Sequence, residues 1–336
     1  MQIYVFQRHL FWKNLITLSC KFLKKGNGMV IKKRRWSKDD TQLAVLALPT
    51  TIWYVLFAYL PMFGVIIAFI DFRIQGGFLQ SIVRSDFIGF NNFRILFANR
   101  DIWFAIRNTL GYNSVFIILG IVLPVALAIV IFELRQKIAA KIYQTVLFIP
   151  FFLSWVVVSA LVWGFLSFDL GIVNRIFESM GVEARNWYMF PPFWPPFLIF
   201  MHFWKNLGFS MIIYLATLTS LDKSVYEAAV IDGASKMQQV WRITLPMMRS
   251  VIILMFILAM GRIFYSDFGL FFQVPRDSAV LMNYVYTIDV FVFRLLRVGT
   301  TGMAAAAALL QSTVSCIMIL LTNWVVKKID SQSAMI

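Results

Sequence analysis

Six long apolar stretches, largely free of charged side chains, dominate this sequence of 336 residues. Soluble chains carry about 25% charged residues, whereas this chain carries 14% and is 60% hydrophobic. About 20 apolar residues suffice for a helix to cross the ~30 Å hydrocarbon core of a bilayer. We therefore predict an all-α polytopic membrane protein with six transmembrane helices, at 43–70, 107–133, 142–168, 197–217, 247–268 and 298–326.

Lysine and arginine are unevenly distributed between the segments that flank these spans. With Arg107 set aside as a boundary residue and Arg249, near the start of the fifth span, counted with the preceding loop, one set of alternate segments carries 19 of them and the other set carries 9. Because cytoplasmic segments of membrane proteins are enriched in Lys and Arg, the richer set is predicted to be cytoplasmic; it includes both termini and the loop 221–248. The net charge of +15 is thus explained by topology, so membrane lipid is a predicted partner and nucleic acid is not.

By composition the chain divides into a basic cytoplasmic tail (1–42), a transmembrane domain (43–330) and a short C-terminal tail (331–336). Residues 1–23 are apolar, but Arg8, His9 and Lys13 interrupt them too often for a span. Two interpretations stay open for this part. It is either an interfacial amphipathic helix or an extension upstream of a translation start at Met29, which we slightly favour. A short surface helix is predicted at 88–97.

A polar island, YEAAVIDGASKMQQVWRITLP at 226–246, separates the fourth and fifth spans. Ser224 and Glu227 have the spacing of a capping box, which predicts a helix from about Ser224. Gly233 permits a sharp bend, and Pro246 begins or kinks the next span. A slim, kinked pair of helices in this position suits insertion into a pocket on another protein.

The island resembles the cytoplasmic coupling loop of ABC importer permeases, in which EAA, three residues, Gly, nine residues and I-x-L-P follow one another. The resemblance extends over 43–336, with characteristic stretches at 48–69, 266–281 and 322–336. It is strongest to carbohydrate permeases of the maltose type, and within them to oligosaccharide permeases of the LplB type. It implies a type I importer fold of six spans with both termini cytoplasmic. The ATPase-coupling residues that it implies are Glu227, Ala228, Ala229, Asp232, Gly233, Ile243, Leu245 and Pro246.

The sequence contains no pattern typical of nucleotide binding or catalysis. The G-x-x-x-x-G-K-[ST] loop that cradles phosphates is missing, and the dipeptide Gly-Lys never occurs. We therefore expect a non-catalytic chain without a cofactor or metal of its own. The resemblance implies that ATP and Mg²⁺ are bound by two cytoplasmic ATPase subunits. It also implies a second homologous permease subunit and an extracytoplasmic solute-binding protein as partners.

Polar residues inside the spans predict where substrate passes. Lys205 and Arg262 each lie about 14 residues from the coupling loop, or ~21 Å along a helix. Charges at such depth are costly and usually face a cavity or a partner. By their position relative to sugar contacts in the maltose-type permeases, the candidate substrate residues are Trp155, His202, Lys205, Asn206, Phe209, Arg262 and Ser266.

Two cations at one depth predict an anionic sugar, such as a uronate oligosaccharide derived from alginate or pectin, because arginine binds a carboxylate in bidentate fashion. Alternatively, Asp267 or a carboxylate of a partner subunit neutralises both cations. An importer of the same class for neutral oligosaccharides or another small solute also stays open. A secondary transporter is a more distant alternative, because it should show inverted repeats, and none is evident in this sequence.

Overall fold

The computed structural model describes residues 38–134 and 136–330, with side chains from residue 40 onwards. The predictions for 1–37 and 331–336 lie outside these described residues. The α-helices, in chain order, are α1 (Lys38–Tyr54), α2 (Phe78–Val83), α3 (Asn91–Ala98), α4 (Arg100–Glu133), α5 (Lys137–Phe148), α6 (Trp155–Leu166), α7 (Ile172–Ser179), α8 (Trp194–Thr219), α9 (Lys223–Ile231), α10 (Lys236–Gln239), α11 (Leu245–Met260), α12 (Met282–Val285), α13 (Ile288–Arg297) and α14 (Thr301–Ile329).

Five helical segments of the described chain are long and apolar enough to cross a membrane, and a bent pair of helices is a sixth candidate. The five are Asp40–Phe69, Arg100–Glu133, Pro191–Thr219, Lys236–Met260 and Thr301–Ile329, and the bent pair is Lys137–Phe152 with Trp155–Leu166. These segments confirm the predicted all-α fold. The predicted surface helix at 88–97 is present as α3. Which side of the membrane each connecting segment occupies stays a prediction.

The chain divides at Met62 into two compact units. The described part of the first unit begins at Lys38, belongs to the first span and exposes most of its apolar side chains, such as Leu46, which is 76% exposed. The second unit starts at Phe63 and holds the other spans and both hydrophobic cores. The domain boundary predicted at residue 42 stays a prediction.

Helices α4 and α8 lie along each other at the centre of the second unit. The larger core includes Trp194, at the start of α8, and Phe271, both almost fully buried. The smaller core includes Met211 and Tyr214, further along α8, and Met248 of α11. Helices α4 and α8 therefore contribute side chains to both hydrophobic cores.

The third span, predicted at 142–168, is a bent pair of helices rather than one straight helix. Helix α5 runs into a tight turn, Ile149–Phe152, and then meets α6 at an angle of 96°. Leu153 and Ser154 are extended, and Ser154 Oγ accepts a hydrogen bond from Val157 N at the start of α6. Pro150 cannot donate the bond that would continue a helix, and a serine at this position favours a new helix start.

The fifth span also differs from its prediction at 247–268. Its helix begins at Lys236, passes through a wide turn at Val240–Thr244 and ends at Met260. Pro246 follows this wide turn, as the second residue of α11. Its missing amide removes one backbone bond where the helix already departs from regular α geometry. Residues 261–267 are not helical, so Arg262 and Asp267 lie beyond the helix rather than within it.

Candidate functional site

The breaks in the third and fifth spans meet beside Lys205. Trp155 Nε1, at the start of α6, donates to Asp267 Oδ2 over 2.7 Å. Lys205 Nζ donates to the carbonyl of Phe151 over 2.8 Å and lies 5.5 Å from the centre of the Trp155 ring. We call Phe151, Trp155, Lys205 and Asp267 the break junction.

Both charged side chains of the break junction bind backbone groups at points where a helical segment ends or begins. The Lys205 side chain comes from α8, is 7% exposed and binds a carbonyl at the end of the turn after α5, where carbonyl groups lack helical partners and a cation is favourable. Asp267 Oδ1 accepts from the amides of Gly269 and Leu270 at 3.1 and 3.4 Å. Among the described residues, neither Lys205 nor Arg262 is within 4.0 Å of an Asp267 carboxylate oxygen.

The other predicted residues of α8 pack beside this junction. The His202 ring stacks on Phe116 at 3.8 Å between centroids, and its buried Nδ1 has no hydrogen-bond partner in the described part of the chain. Asn206 Nδ2 donates to the His202 carbonyl over 3.0 Å, which places both residues on one helix face. Phe209 stacks on Phe151 at 4.4 Å. Substrate contact by these residues stays a prediction.

Arg262 and Ser266, in the break of the fifth span, have different surroundings. The Arg262 side chain is exposed, and no ion pair or side-chain hydrogen bond to it is present among the described residues. Ser266 Oγ instead donates to Asp289 Oδ2 at 2.7 Å and lies within hydrogen-bond distance of Thr287 Oγ1, at 2.8 Å. Arg262 therefore has the capacity to bind a ligand, whereas Ser266 is held by neighbouring side chains.

Three polar residues that were not among the predicted site residues hold this break in place. They are Asn113 on α4, Asp289 on α13 and Gln311 on α14. Asn113 and Gln311 are 8% and 4% exposed. The signal was present in the sequence, since an amide side chain within an apolar span is costly unless it has a partner.

The coupling loop contains two short helices joined at Gly233. Helix α9 begins after Asp222, whose Oδ1 accepts a hydrogen bond from the backbone amide of Ser224 at 2.9 Å. This bond lowers the pKa of the exposed Asp222 carboxyl below its ordinary value. The prediction of a capping box at Ser224 and Glu227 was therefore wrong by position. Asp222, two residues before Ser224, caps the helix instead.

A capping box is present at the start of the second helix. Ser235 Oγ accepts from the amide of Gln238 at 3.3 Å, and the Gln238 side chain accepts from the amide of Ser235 at 2.7 Å. Lys236 then pairs with Glu133, at the end of α4, over 2.7 Å. The loop is thus internally braced and joined to the second span.

The residues predicted to couple to an ATPase lie mostly on the surface of this loop. The exposed ones are Glu227, Ala228, Asp232, Gly233 and Pro246, and the partly buried ones are Ala229, Ile243 and Leu245. Three exposed apolar side chains of the same loop were not among the predicted coupling residues. Ile231, Met237 and Trp241 are 86%, 66% and 65% exposed. An exposed apolar surface of this kind in a polar loop is typical of a protein interface.

Residues 116–331 match the family described as "Binding-protein-dependent transport system inner membrane component". The chain belongs to this family. The permease is 32% identical to the protein LplB of Bacillus subtilis (strain 168) over 297 residues, which cover 88% of this chain and 91% of LplB. It is also 32% identical, over 86% of this chain and 89% of the relative, to the polygalacturonan/rhamnogalacturonan transport system permease protein YteP of the same bacterium.

A solved structure is similar over nearly the whole permease. It is a chain of a bacterial alginate ABC transporter in complex with an alginate pentasaccharide-bound periplasmic protein. The TM-score is 0.78 with 31% sequence identity, and the match covers 88% of this chain and 98% of that chain. These findings confirm the resemblance to carbohydrate permeases. The chain is a non-catalytic permease subunit of a sugar ABC importer, in the bacterial inner membrane.

Proposed function

We propose that this permease carries acidic oligosaccharides that contain uronate units into the cytoplasm. It would act with a second homologous permease subunit, two cytoplasmic ATPase subunits and an extracytoplasmic binding protein. ATP and Mg²⁺ would be bound by the ATPases. The coupling loop around Gly233 would convert closure of the ATPase pair into rocking of the spans.

The guanidinium of Arg262 is the main support for an acidic substrate. It is exposed at a break in the fifth span, and no carboxylate of the described chain neutralises it. A carboxylate of a uronate unit would provide a bidentate partner. Lys205 would contribute through its charge, since its Nζ already donates to the Phe151 carbonyl. YteP is named for the transport of polygalacturonan and rhamnogalacturonan, and the similar alginate transporter imports an acidic polysaccharide, which favours the same class.

The face of Trp155 would complete the site for the sugar ring. Its indole nitrogen is held by Asp267, so the ring orientation is fixed, and one face already lies near the Lys205 ammonium group. The path of the sugar past Trp155 would be lined or supported by His202, Asn206, Phe209 and Ser266. Their contacts with neighbouring groups are consistent with a supporting role.

Arg262→Ala is expected to impair transport of a uronate oligosaccharide far more than transport of a neutral one of equal length. A hydrogen-bonded contact with a charged group contributes about 1.5–3 kcal/mol, or about ten- to a hundredfold in apparent affinity. We therefore expect the KM for the uronate oligosaccharide to rise at least about tenfold. The measurement is uptake into proteoliposomes that contain the complete importer and saturating binding protein.

Arg84→Ala is the matched control, because Arg84 is also exposed and carries the same charge. It should leave the uptake of both sugars unchanged. Equal loss of both sugars in Arg262→Ala would indicate a structural cation instead. A wild-type importer that carries only the neutral oligosaccharide would exclude an acidic substrate and support the neutral alternative.

A further inference from the structure

The peptide groups at the break of the fifth span are bound by side chains from three other helices. Asn113 Nδ2 of α4 donates to the carbonyls of Ile263 and Tyr265 at 2.7 and 2.9 Å. Gln311 Nε2 of α14 donates to the intervening carbonyl of Phe264 at 2.7 Å. In a continuing helix, these three consecutive carbonyl groups would accept hydrogen bonds from backbone amides. Here they accept from side chains of other helices instead.

Asp289 of α13 links the two ends of this arrangement. Its Oδ2 accepts from the backbone amide of Ser266 at 2.6 Å and from the Ser266 hydroxyl at 2.7 Å. Gln311 Nε2 lies 3.2 Å from each carboxylate oxygen of Asp289. We call Asn113, Asp289 and Gln311 the break clamp.

Two of the three side chains of the break clamp are buried in the bundle, since Asn113 is 8% and Gln311 is 4% exposed. In hydrocarbon, non-helical backbone is tolerated only where protein or water satisfies its polar groups. If the helix continued past Met260, backbone amides would bond to the carbonyl groups of 263–265, and the side chains of the break clamp would not be needed for this.

The position of Arg262 follows from this geometry. Its own amide closes a turn onto Ala259 at 3.0 Å, and the next three carbonyls are the ones that the clamp holds. The backbone on both sides of Arg262 is therefore fixed, while its side chain stays exposed. Without the clamp, the segment would gain stability by resuming helical hydrogen bonds, which would rotate Arg262 about the helix axis.

We propose that Asn113, Asp289 and Gln311 are positioning residues for transport, which hold residues 261–266 out of the helix and thereby fix where Arg262 meets the substrate. The inference depends on the proposed function, because it assigns a substrate contact to Arg262. None of the three clamp residues needs to touch the sugar. They act through the backbone that carries the arginine.

The test uses Asn113→Leu and Gln311→Leu in the complete importer in proteoliposomes. Leucine removes the donors at similar size and keeps the spans apolar. Gln311→Leu frees the Phe264 carbonyl and removes the contact with Asp289, which keeps its two bonds to Ser266. It is an independent second variant, so the test stays decisive if Asn113→Leu does not reach the membrane. Ser312→Ala is the control. Ser312 follows Gln311 on the same helix, and its substitution removes the contact of Ser312 Oγ with the Tyr265 hydroxyl and its bond to the Ala308 carbonyl, but no bond to a backbone carbonyl of 263–265.

Two results are expected. Hydrogen–deuterium exchange should rise in peptides covering 261–268, with little change in the coupling loop. The KM for a uronate oligosaccharide should rise about tenfold, with the maximal rate changed much less. Neither should change in Ser312→Ala. Loss of maximal rate with unchanged KM, or increased exchange throughout the spans, would overturn the positioning role, since either result indicates general destabilisation.

A double-mutant cycle separates this inference from the proposed function. If the clamp acts through Arg262, then adding Asn113→Leu or Gln311→Leu to Arg262→Ala should raise the KM little further, because coupled residues are not additive. Additive increases would overturn the clamp and leave the acidic substrate in place. An Arg262→Ala variant with unchanged KM for the uronate oligosaccharide would overturn the proposed substrate contact itself, and with it the purpose assigned to the clamp.

Discussion

Gly233→Val is expected to abolish uptake while the permease still reaches the membrane. Gly233 has a φ of +77° and follows α9, where its amide bonds to the Val230 carbonyl and the Ala234 amide bonds to the Ala229 carbonyl. This is the Schellman pattern, which needs a left-handed residue after the helix. A β-branched residue is rarely found in that conformation, and the strain costs about 1–3 kcal/mol. The second helix of the coupling loop should therefore change direction.

Gly181→Val provides a control with the same local strain. Gly181 has a φ of +75° and follows α7 with the same two backbone bonds, and neither glycine has an atom within 4 Å of an added Cβ. The two variants therefore differ in location rather than in local chemistry. Uptake and co-purification with the ATPase should be lost in Gly233→Val and largely kept in Gly181→Val. Equal loss in both would mean that strain alone, rather than the direction of the coupling loop, explains the defect.

Glu227→Ala tests the same surface without backbone strain. Its side chain is exposed, and helix α9 is capped by Asp222 rather than by Glu227. Removal of the carboxylate should therefore leave the loop folded and weaken co-purification with the ATPase. Normal association and uptake in Glu227→Ala would exclude a contact role for this carboxylate.

Gly208→Ala is expected to be the most destabilising small substitution in the spans. A Cβ at Gly208 would lie 2.1 Å from the carbonyl oxygen of Leu147. This neighbour is backbone of α5 and cannot rotate away, so the two helices must separate. Overpacking of this kind costs about 1–3 kcal/mol. The change would also move the Phe151 carbonyl away from Lys205, which lies one turn before Gly208 on α8.

The measurement is the thermal unfolding midpoint of the detergent-solubilised permease, together with its yield in the membrane. Gly164→Ala is the matched control, because Gly164 lies within α6 and has no atom within 4 Å of an added Cβ. Alanine is favoured over glycine in helices by about 1 kcal/mol, so the control should be neutral or stabilising. A Gly208→Ala variant as stable as the control would show that α5 and α8 do not pack as closely as described.

Several features could be predicted from local sequence because their physical cause is local. The length of the apolar runs gives the spans, since a helix must cross a hydrocarbon layer of known thickness. Gly233 predicts the bend of the coupling loop, which its positive φ confirms. Pro246 predicts the start of a helix, and it lies in the first turn of α11. Capping was less predictable, because Asp222, Ser224 and Ser235 are all suitable caps by composition.

The sequence by itself therefore determined a six-span α-helical membrane protein and the bend of its coupling loop, because hydropathy and glycine conformation act over a few residues. Only the tertiary structure decided that the third and fifth spans break and that their breaks meet at Trp155, Lys205 and Asp267. Hydropathy predicts that the fifth span continues to residue 268, but residues 261–267 are not helical. They leave the helix because Asn113 and Gln311, from helices distant in sequence, satisfy the carbonyl groups of 263–265.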